Sequence, residues 1–332
     1  MNVSFFDVLI TVIFLILLAL PGFIFAKLKM LPEKASEAFS VLVLYGCQPV
    51  LIITSFQSKE YIPEIGLNML YVMLLAVAVH LTVFAVLKLL FIKRSADDKI
   101  KIVKYAGAFS NCGFMGFPFL QSLFTGETLA EVMLYGAVVV AVFNVLTWTF
   151  GVYIMTGDLN NVSVKKIALN PVIISVVIGF LLFVLVKKPI VSLAAEGTAA
   201  YSVLSKLMQS LNFIADMVTP LSMTVIGIKL ANVGLKQLFF DGQAYLAAAL
   251  KLLLMPALTM LITVFLPISA AIKYTLFFLL AMPSATSTAM FAVKFGKDGD
   301  FASVCVLLST LLSVLTIPPL YLFMSGVLGV TI

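Results

Sequence analysis

The sequence predicts an all-α polytopic membrane protein of about ten transmembrane helices forming one membrane domain. Three observations lead there. The 332 residues are 62% hydrophobic and only 11% charged, whereas soluble chains carry roughly 25% charged residues. Apolar runs long enough to cross a bilayer as a helix, about 20 residues each, follow one another with short polar links that leave no room for a soluble domain. The lysines and arginines alternate between abundant and sparse links, as the positive-inside effect requires.

The spans are expected in order at Phe5–Ala26, Ala38–Phe56, Gly66–Ile92, Ile102–Leu123, Glu131–Thr156, Asn170–Val186, Leu207–Ala231, Ala244–Leu266, Tyr274–Val293 and Phe301–Leu328. The first is read as a retained span, because Met1 to Phe6 has no basic stretch and no small-residue cleavage site follows the apolar run. The second holds Gln48-Pro49, and the third holds His80 and Leu87-Lys88-Leu89-Leu90. The fourth is interrupted by Ser110-Asn111-Cys112-Gly113-Phe114-Met115-Gly116-Phe117-Pro118. The fifth carries Asn144 near Thr147 and Trp148, and Asn170-Pro171 opens the sixth. The seventh has Asp216 near its outer end and then Thr219-Pro220, and the eighth carries Lys251. The ninth is interrupted by Met282-Pro283-Ser284-Ala285-Thr286-Ser287-Thr288-Ala289, and the tenth contains Ser309 and Ser313.

Links after odd-numbered spans hold Lys27, Lys29, Lys34, Lys93, Arg94, Lys99, Lys101, Lys104, Lys165, Lys166, Lys229, Lys236, Lys294 and Lys297, with Lys88 at a span end. Even-numbered links hold only Lys59, Lys187, Lys188, Lys206 and Lys273. Odd links are therefore expected in the cytoplasm and both termini outside. Singly scattered lysines, despite a net charge of +6, argue against a nucleic-acid partner, which needs a basic face.

Five spans per half put the second half in the membrane upside down, so the chain is expected to be two inverted repeats, 1–160 and 161–332. Local echoes agree. Leu87-Lys88-Leu89-Leu90 recurs as Leu250-Lys251-Leu252-Leu253, Gln48-Pro49 has a counterpart in Thr219-Pro220, and Pro118 is matched with Pro283.

The interruptions carry the chemistry. A broken helix in lipid strands backbone N–H and C=O groups at several kcal/mol each. It persists where protein, water or a ligand satisfies them. Gly113 and Gly116 permit unusual backbone angles, and Pro118 removes a donor and suits the first turn of a second half-helix. Asn111 brings an amide that can donate to an oxygen or accept from a donor. In the ninth span, Pro283 is followed by the hydroxyls of Ser284, Thr286, Ser287 and Thr288, again at a half-helix start. Two converging helix N-termini form an anion site without a lysine. Simple kinking of packed helices explains either break alone equally well; their matched positions favour a binding site. Neither break contains Asp or Glu, so no carboxylate relay of the kind that carries Na⁺ or H⁺ is visible.

Asn144 is a further candidate for flanking the breaks. Lys251 has two readings, a charge role at the site or snorkelling of its long stem to the interface. One histidine, His80, and three cysteines without paired spacing, Cys47, Cys112 and Cys305, support neither a metal site nor a disulfide framework. No cofactor is expected. An intramembrane hydrolase using Ser284 or Ser287 lacks a base and a glycine-flanked serine.

The run Asn111-Cys112-Gly113-Phe114-Met115-Gly116-Phe117-Pro118 resembles the signature of the auxin efflux carrier family, which includes bacterial malate and malonate permeases. Gln48-Pro49, Asn170-Pro171, Thr219-Pro220-Leu221 with Gly227, Pro283-Ser284-Ala285 and Phe301-Ala302-Ser303 extend the resemblance over the chain. It implies a fold similar to bile-acid symporters and Na⁺/H⁺ antiporters, with broken spans four and nine crossing at the midplane. The implied mobile core is spans three to five and eight to ten. The implied scaffold is spans one, two, six and seven, through which a homodimer forms. It implies a secondary transporter in a bacterial cytoplasmic membrane, moving a small carboxylate, with Asn111, Pro118 and Pro283 lining the crossover. The alternative is a Na⁺- or H⁺-coupled symporter of bile-acid type, or a carrier of a neutral solute.

Overall fold

The computed structural model describes residues 3–327 and Gly329. Of the sequence expectations, Met1, Asn2, Leu328 and the side chain of Lys236 lie outside the described residues. Among the described residues the secondary structure is helical throughout, with one isolated β-bridge, Ser110 to Ser284. Eight segments are long and apolar enough to cross a membrane: α1 (Phe5–Lys27), α2 (Ala35–Phe56), α3 (Pro63–Leu90), α6 (Gly126–Thr156), α7 (Pro171–Leu193), α8 (Ala199–Asn232), α9 (Gly242–Thr263) and α12 (Gly299–Gly326). Four shorter pieces lie between them, besides the link helices Val164–Ala168 and Leu235–Phe240. They are α4 (Asp98–Ala108), α5 (Phe117–Leu123, entered through a π-turn at Cys112–Gly116), α10 (Ala270–Ala281) and α11 (Ser287–Lys294). With its apolar helices, the protein is an integral membrane protein.

Local sequence explains the boundaries. Asp97, Asn170, Thr198, Asp241, Ser269 and Asp298 each accept a backbone N–H bond at a helix start, as N-cap residues do. The Thr198 cap starts α8 well before the expected Leu207. The segment runs on to Asn232 and bends at Met217, leaving Asp216 exposed. A hydropathy reading misses that first part because Ser202, Lys206, Gln209 and Ser210 dilute it.

Three prolines share one placement. Pro49, Pro118 and Pro256 each sit at the second position of an α-helix that directly follows a five-residue π-turn, at Val43–Cys47, Cys112–Gly116 and Leu250–Leu254. Proline cannot donate to the carbonyl four residues back and collides with it. Widening the preceding turn by one residue accommodates both problems without ending the helix.

The short helices occupy the centre. Every residue from Tyr274 to Ala285 is buried, and from Tyr105 to Leu120 only Gly113 is partly open. Around them α1, α3, α7 and the first half of α8 present apolar side chains outward, as a lipid-facing wall does. Backbones meet closely at α1 and α8. A Cβ added to Gly227 would lie 1.9 Å from the Ala19 carbonyl oxygen, and one added to Gly22 would lie 2.3 Å from that of Thr224. Such glycine contacts let membrane helices approach without large side chains between them.

Candidate functional site

The two interruptions meet. Helix α4 ends at Ala108 and α10 at Ala281, and the chain continues extended through Phe109 and Met282. The extended stretches pair antiparallel: the Asn111 N–H donates to the Pro283 carbonyl and the Ala285 N–H to the Phe109 carbonyl, both at 2.8 Å. Two short segments thus satisfy each other's main chain inside the protein, which is what an unwound helix at membrane depth needs.

The serines at the bridge complete the exchange. Ser110 Oγ donates to the Leu280 carbonyl at 3.1 Å, and Ser284 Oγ donates to the Ala106 carbonyl at 2.9 Å. In an unbroken helix the N–H of Ser284 would serve Leu280, and that of Ser110 would serve Ala106. Each hydroxyl therefore replaces the donor that the other helix lost. The Ser284 N–H is itself taken by Ser309 Oγ at 3.0 Å, which explains why Ser309 stands in the last long helix. Lys251 adds a second donor to Leu280: its Nζ lies 2.6 Å from that oxygen, and the side chain is fully buried. Lysine is suited to a helix C-terminus, where the stranded carbonyls carry partial negative charge. Of the two sequence readings of Lys251, snorkelling to the interface is set aside, because the ammonium points inward to α10.

The candidate residues separate into groups. Asn111, Pro283 and Ser284 stand at the crossing. The Asn111 side chain is 3% exposed, and its Nδ2 has no hydrogen-bond partner. Thr286 and Ser287 follow at the start of α11. Both are half-buried, and Ser287 Oγ lies 3.1 Å from the Tyr105 hydroxyl. Gly113 and Gly116 are not in the extended stretch but in the π-turn after it. A Cβ on Gly113 would meet Gln48 Nε2 at 2.4 Å, and one on Gly116 would meet Leu279 at 2.5 Å. Small residues there let α2 and α10 close on the break. Pro118 lies farther along, inside α5, so it does not face Pro283. The residue whose N–H meets the Pro283 carbonyl is Asn111. Asn144 turns to another neighbour: its Nδ2 donates to the Val140 carbonyl and its Oδ1 accepts from Asn170 Nδ2 at 3.0 Å.

Ser110 lies within the interruption but outside the site residues that the sequence marks. The available signal is that Ser110 and Ser284 each follow a helix whose hydrogen-bonding pattern fails. Seeing that they pair requires the third dimension.

Beside the π-turn a small apolar cavity separates Met115 and Leu307 from Ile16, Met223 and Ile226. The long helices α1 and α8 thus meet the central helices across side chains that make no directional bonds. Polar contacts across this boundary are at its ends. Thr219 Oγ1 donates to Gln121 Oε1 at 3.1 Å, and Lys59 bridges Glu127 and Glu131 at 2.8 and 2.9 Å. On the opposite side Asp98 joins Lys297 at 2.7 Å and Lys101 at 3.0 Å, tying the start of α4 to the end of α11. The Lys297 ammonium, followed by Lys101, holds the Asp98 carboxyl below its ordinary range.

A buried amide donor without a partner, next to backbone already satisfied by a reciprocal crossing, is a place for an acceptor to bind. A family model described as membrane transport protein matches residues 7–161 and 155–321. The chain belongs to that family, as the resemblance to the auxin efflux carriers implied. A protein of Rhizobium meliloti named "Putative malonate transporter" is 26% identical over 325 residues, spanning 92% of this chain and 93% of its own. An "Uncharacterized transporter" of Methanothermobacter thermautotrophicus is 24% identical over 320 residues, spanning 93% and 95%. Another, of Methanocaldococcus jannaschii, is 23% identical over 314 residues, spanning 94% and 96%. The family and these relatives are transporters, not enzymes.

Proposed function

We propose that this protein is a secondary transporter that moves a small organic anion, a carboxylate of the malate, malonate or auxin kind, by alternating access. The observation that carries the reading is the Asn111 amide, buried at the crossing with its Nδ2 unpartnered. A buried donor left unmade costs about 1–3 kcal/mol, and a carboxylate oxygen satisfies it with a charge-assisted bond. Partly open Gly113, Thr286 and Ser287 mark the way in. The name of the Rhizobium relative supports a dicarboxylate as the first substrate to try.

The motion we infer is of the elevator type. The two broken segments count as spans four and nine, which makes ten spans in two inverted repeats. The reciprocal serine bonds supply a local reason for such symmetry. The core is α3 to α6 with α9 to α12; the scaffold is α1, α2, α7 and α8. Glycine contacts hold α1 to α8, while the apolar patch where Met115 and Leu307 meet Ile16, Met223 and Ile226 offers little resistance to sliding. Both termini are placed outside a bacterial cytoplasmic membrane, and the scaffold is where two copies pair.

The test is counterflow in proteoliposomes with a panel of mono- and dicarboxylates. Asn111→Ala removes one hydrogen bond to a charged group, about 1.5–3 kcal/mol, so KM rises by roughly tenfold or more while the protein remains folded. Transport by N111A at the wild-type KM for every substrate would refute the site.

A further inference from the structure

Among the described residues, Lys251 is the one charged side chain that is fully buried. Its position is built. The π-turn Leu250–Leu254 packs against α4, α10 and α12, and Nζ meets the Leu280 carbonyl at 2.6 Å. No carboxylate accompanies it in the ion pairs among the described residues, which lie near the helix ends. A buried ammonium with only carbonyl partners is incompletely compensated.

The neighbouring titratable groups offer no counter-ion. From α3, His80 lies within electrostatic reach of Lys251, with Nδ1 on the Ala76 carbonyl and Nε2 unpartnered. The thiol of Cys112 is within reach from the π-turn after the crossing. On α4, the Tyr105 hydroxyl is engaged with Ser287, and Asp98 with Lys101 and Lys297. On α10, Lys273 Nζ donates to the Val264 carbonyl, and the Tyr274 ring is packed against Phe278 and Tyr321. On α12, Cys305 has Asp241, Lys99 and Asp298 as its charged surroundings.

The missing counter-ion has an evident source. Ser110 shares the Leu280 oxygen with Lys251, and Cys112 is within its electrostatic reach. Those two residues flank Asn111. An anion held by Asn111 therefore enters the field of the lysine. Whatever makes the charged lysine favour the anion makes the anion favour the charged lysine by the same free energy.

We propose that Lys251 is the proton-carrying group of this transporter, loading and unloading its proton together with the anion. This rests on the carrier reading above. A proton from the loading side binds the Nζ amine as the carboxylate binds at Asn111. Both cross with the core, and the proton returns to water when the anion leaves. Each cycle moves one proton with one substrate and regenerates the neutral amine.

The experiment measures radiolabelled malonate uptake and lumenal pH in the same proteoliposomes. The membrane potential is clamped with K⁺ and valinomycin, and protein-free vesicles are the blank. Wild type is expected to acidify the lumen at a ratio near one proton per malonate, and an inward proton gradient should drive accumulation. Lys251→Arg keeps the charge but does not release it. In whatever malonate exchange it retains, the proton ratio should fall toward zero. Lys251→Gln should also lose the ratio, and His80→Gln should keep it. The ratio is normalised to substrate moved, so a smaller folded fraction does not change it.

A wild-type ratio near zero with active malonate exchange overturns the lysine assignment and leaves the carrier reading standing. So does a K251R or K251Q protein that still moves protons, or loss of the ratio in H80Q. If wild type moves neither malonate nor malate nor acetate, the carboxylate-carrier reading falls and takes this assignment with it.

Discussion

The reciprocal serine bonds make an asymmetric prediction from a symmetric arrangement. Ser284→Ala deletes the hydroxyl that donates to Ala106 at 2.9 Å, in a site with no solvent exposure. The Ala106 carbonyl is then buried without that donor, which costs about 1–3 kcal/mol. Ser110→Ala deletes the matching bond to Leu280, but Lys251 Nζ still donates to that oxygen at 2.6 Å. The loss there is one of two bonds, about 0.5–1.5 kcal/mol. S284A should therefore be the more destabilised protein, by roughly 1 kcal/mol. Removing Lys251 should expose the hidden half. In a Lys251→Met background, Ser110→Ala leaves Leu280 with neither side-chain donor, and its cost should rise by about 1 kcal/mol as a coupling energy. Equilibrium unfolding in mixed micelles measures the four variants against wild type, and a double-mutant cycle isolates the coupling. Equal costs for S110A and S284A, or zero coupling with Lys251, would refute this account of the crossing.

Two further outcomes follow from the packing and the charges. Gly227→Ala forces a Cβ into the backbone of α1, 1.9 Å from the Ala19 oxygen, and should destabilise by about 1–3 kcal/mol as overpacking does; Gly242→Ala meets nothing within 4 Å and should retain a monodisperse chromatographic profile. The Asp98 pair is a pH-dependent tie between α4 and α11. Its carboxyl is held down in the folded state by Lys297 and Lys101, so its contribution is present above about pH 4, the unfolded carboxylate value, and is lost as pH falls through the folded value. Because Asp98 is 56% exposed, the contribution is only about 0.2–1 kcal/mol and weakens with salt; Asp98→Asn should flatten that part of the stability–pH curve, measured by the same unfolding assay.

The location of the breaks was legible because glycine, proline and asparagine inside an apolar run are costly in lipid, and the cost marks the place. Their internal layout was not. The run from Gly113 to Pro118 has the composition of an unwound segment, yet it is helical. A π-turn absorbs the proline, and the chain is extended only just before it, where Phe109 and Ser110 find partners on another helix. Ser284 and Thr288 look like hydroxyls offered to a ligand. In the structure they donate to the Ala106 and Ala285 carbonyls. Asn144 and Asn111 are the same residue type in equally apolar surroundings, but Asn144 meets Asn170, and the Asn111 amide nitrogen meets no partner.

By itself the sequence determined that the chain lives in a membrane, where its apolar runs lie, and which two of them fail as helices. Those properties follow from transfer free energies and backbone chemistry that each residue carries with it. The tertiary structure decided which backbone groups the failures satisfy, that Ser110 and Ser284 trade places, and that Lys251 turns inward to the end of α10. Hydrogen bonding at a crossing depends on pairs of residues some 170 positions apart, and their pairing is fixed by packing rather than by local pattern.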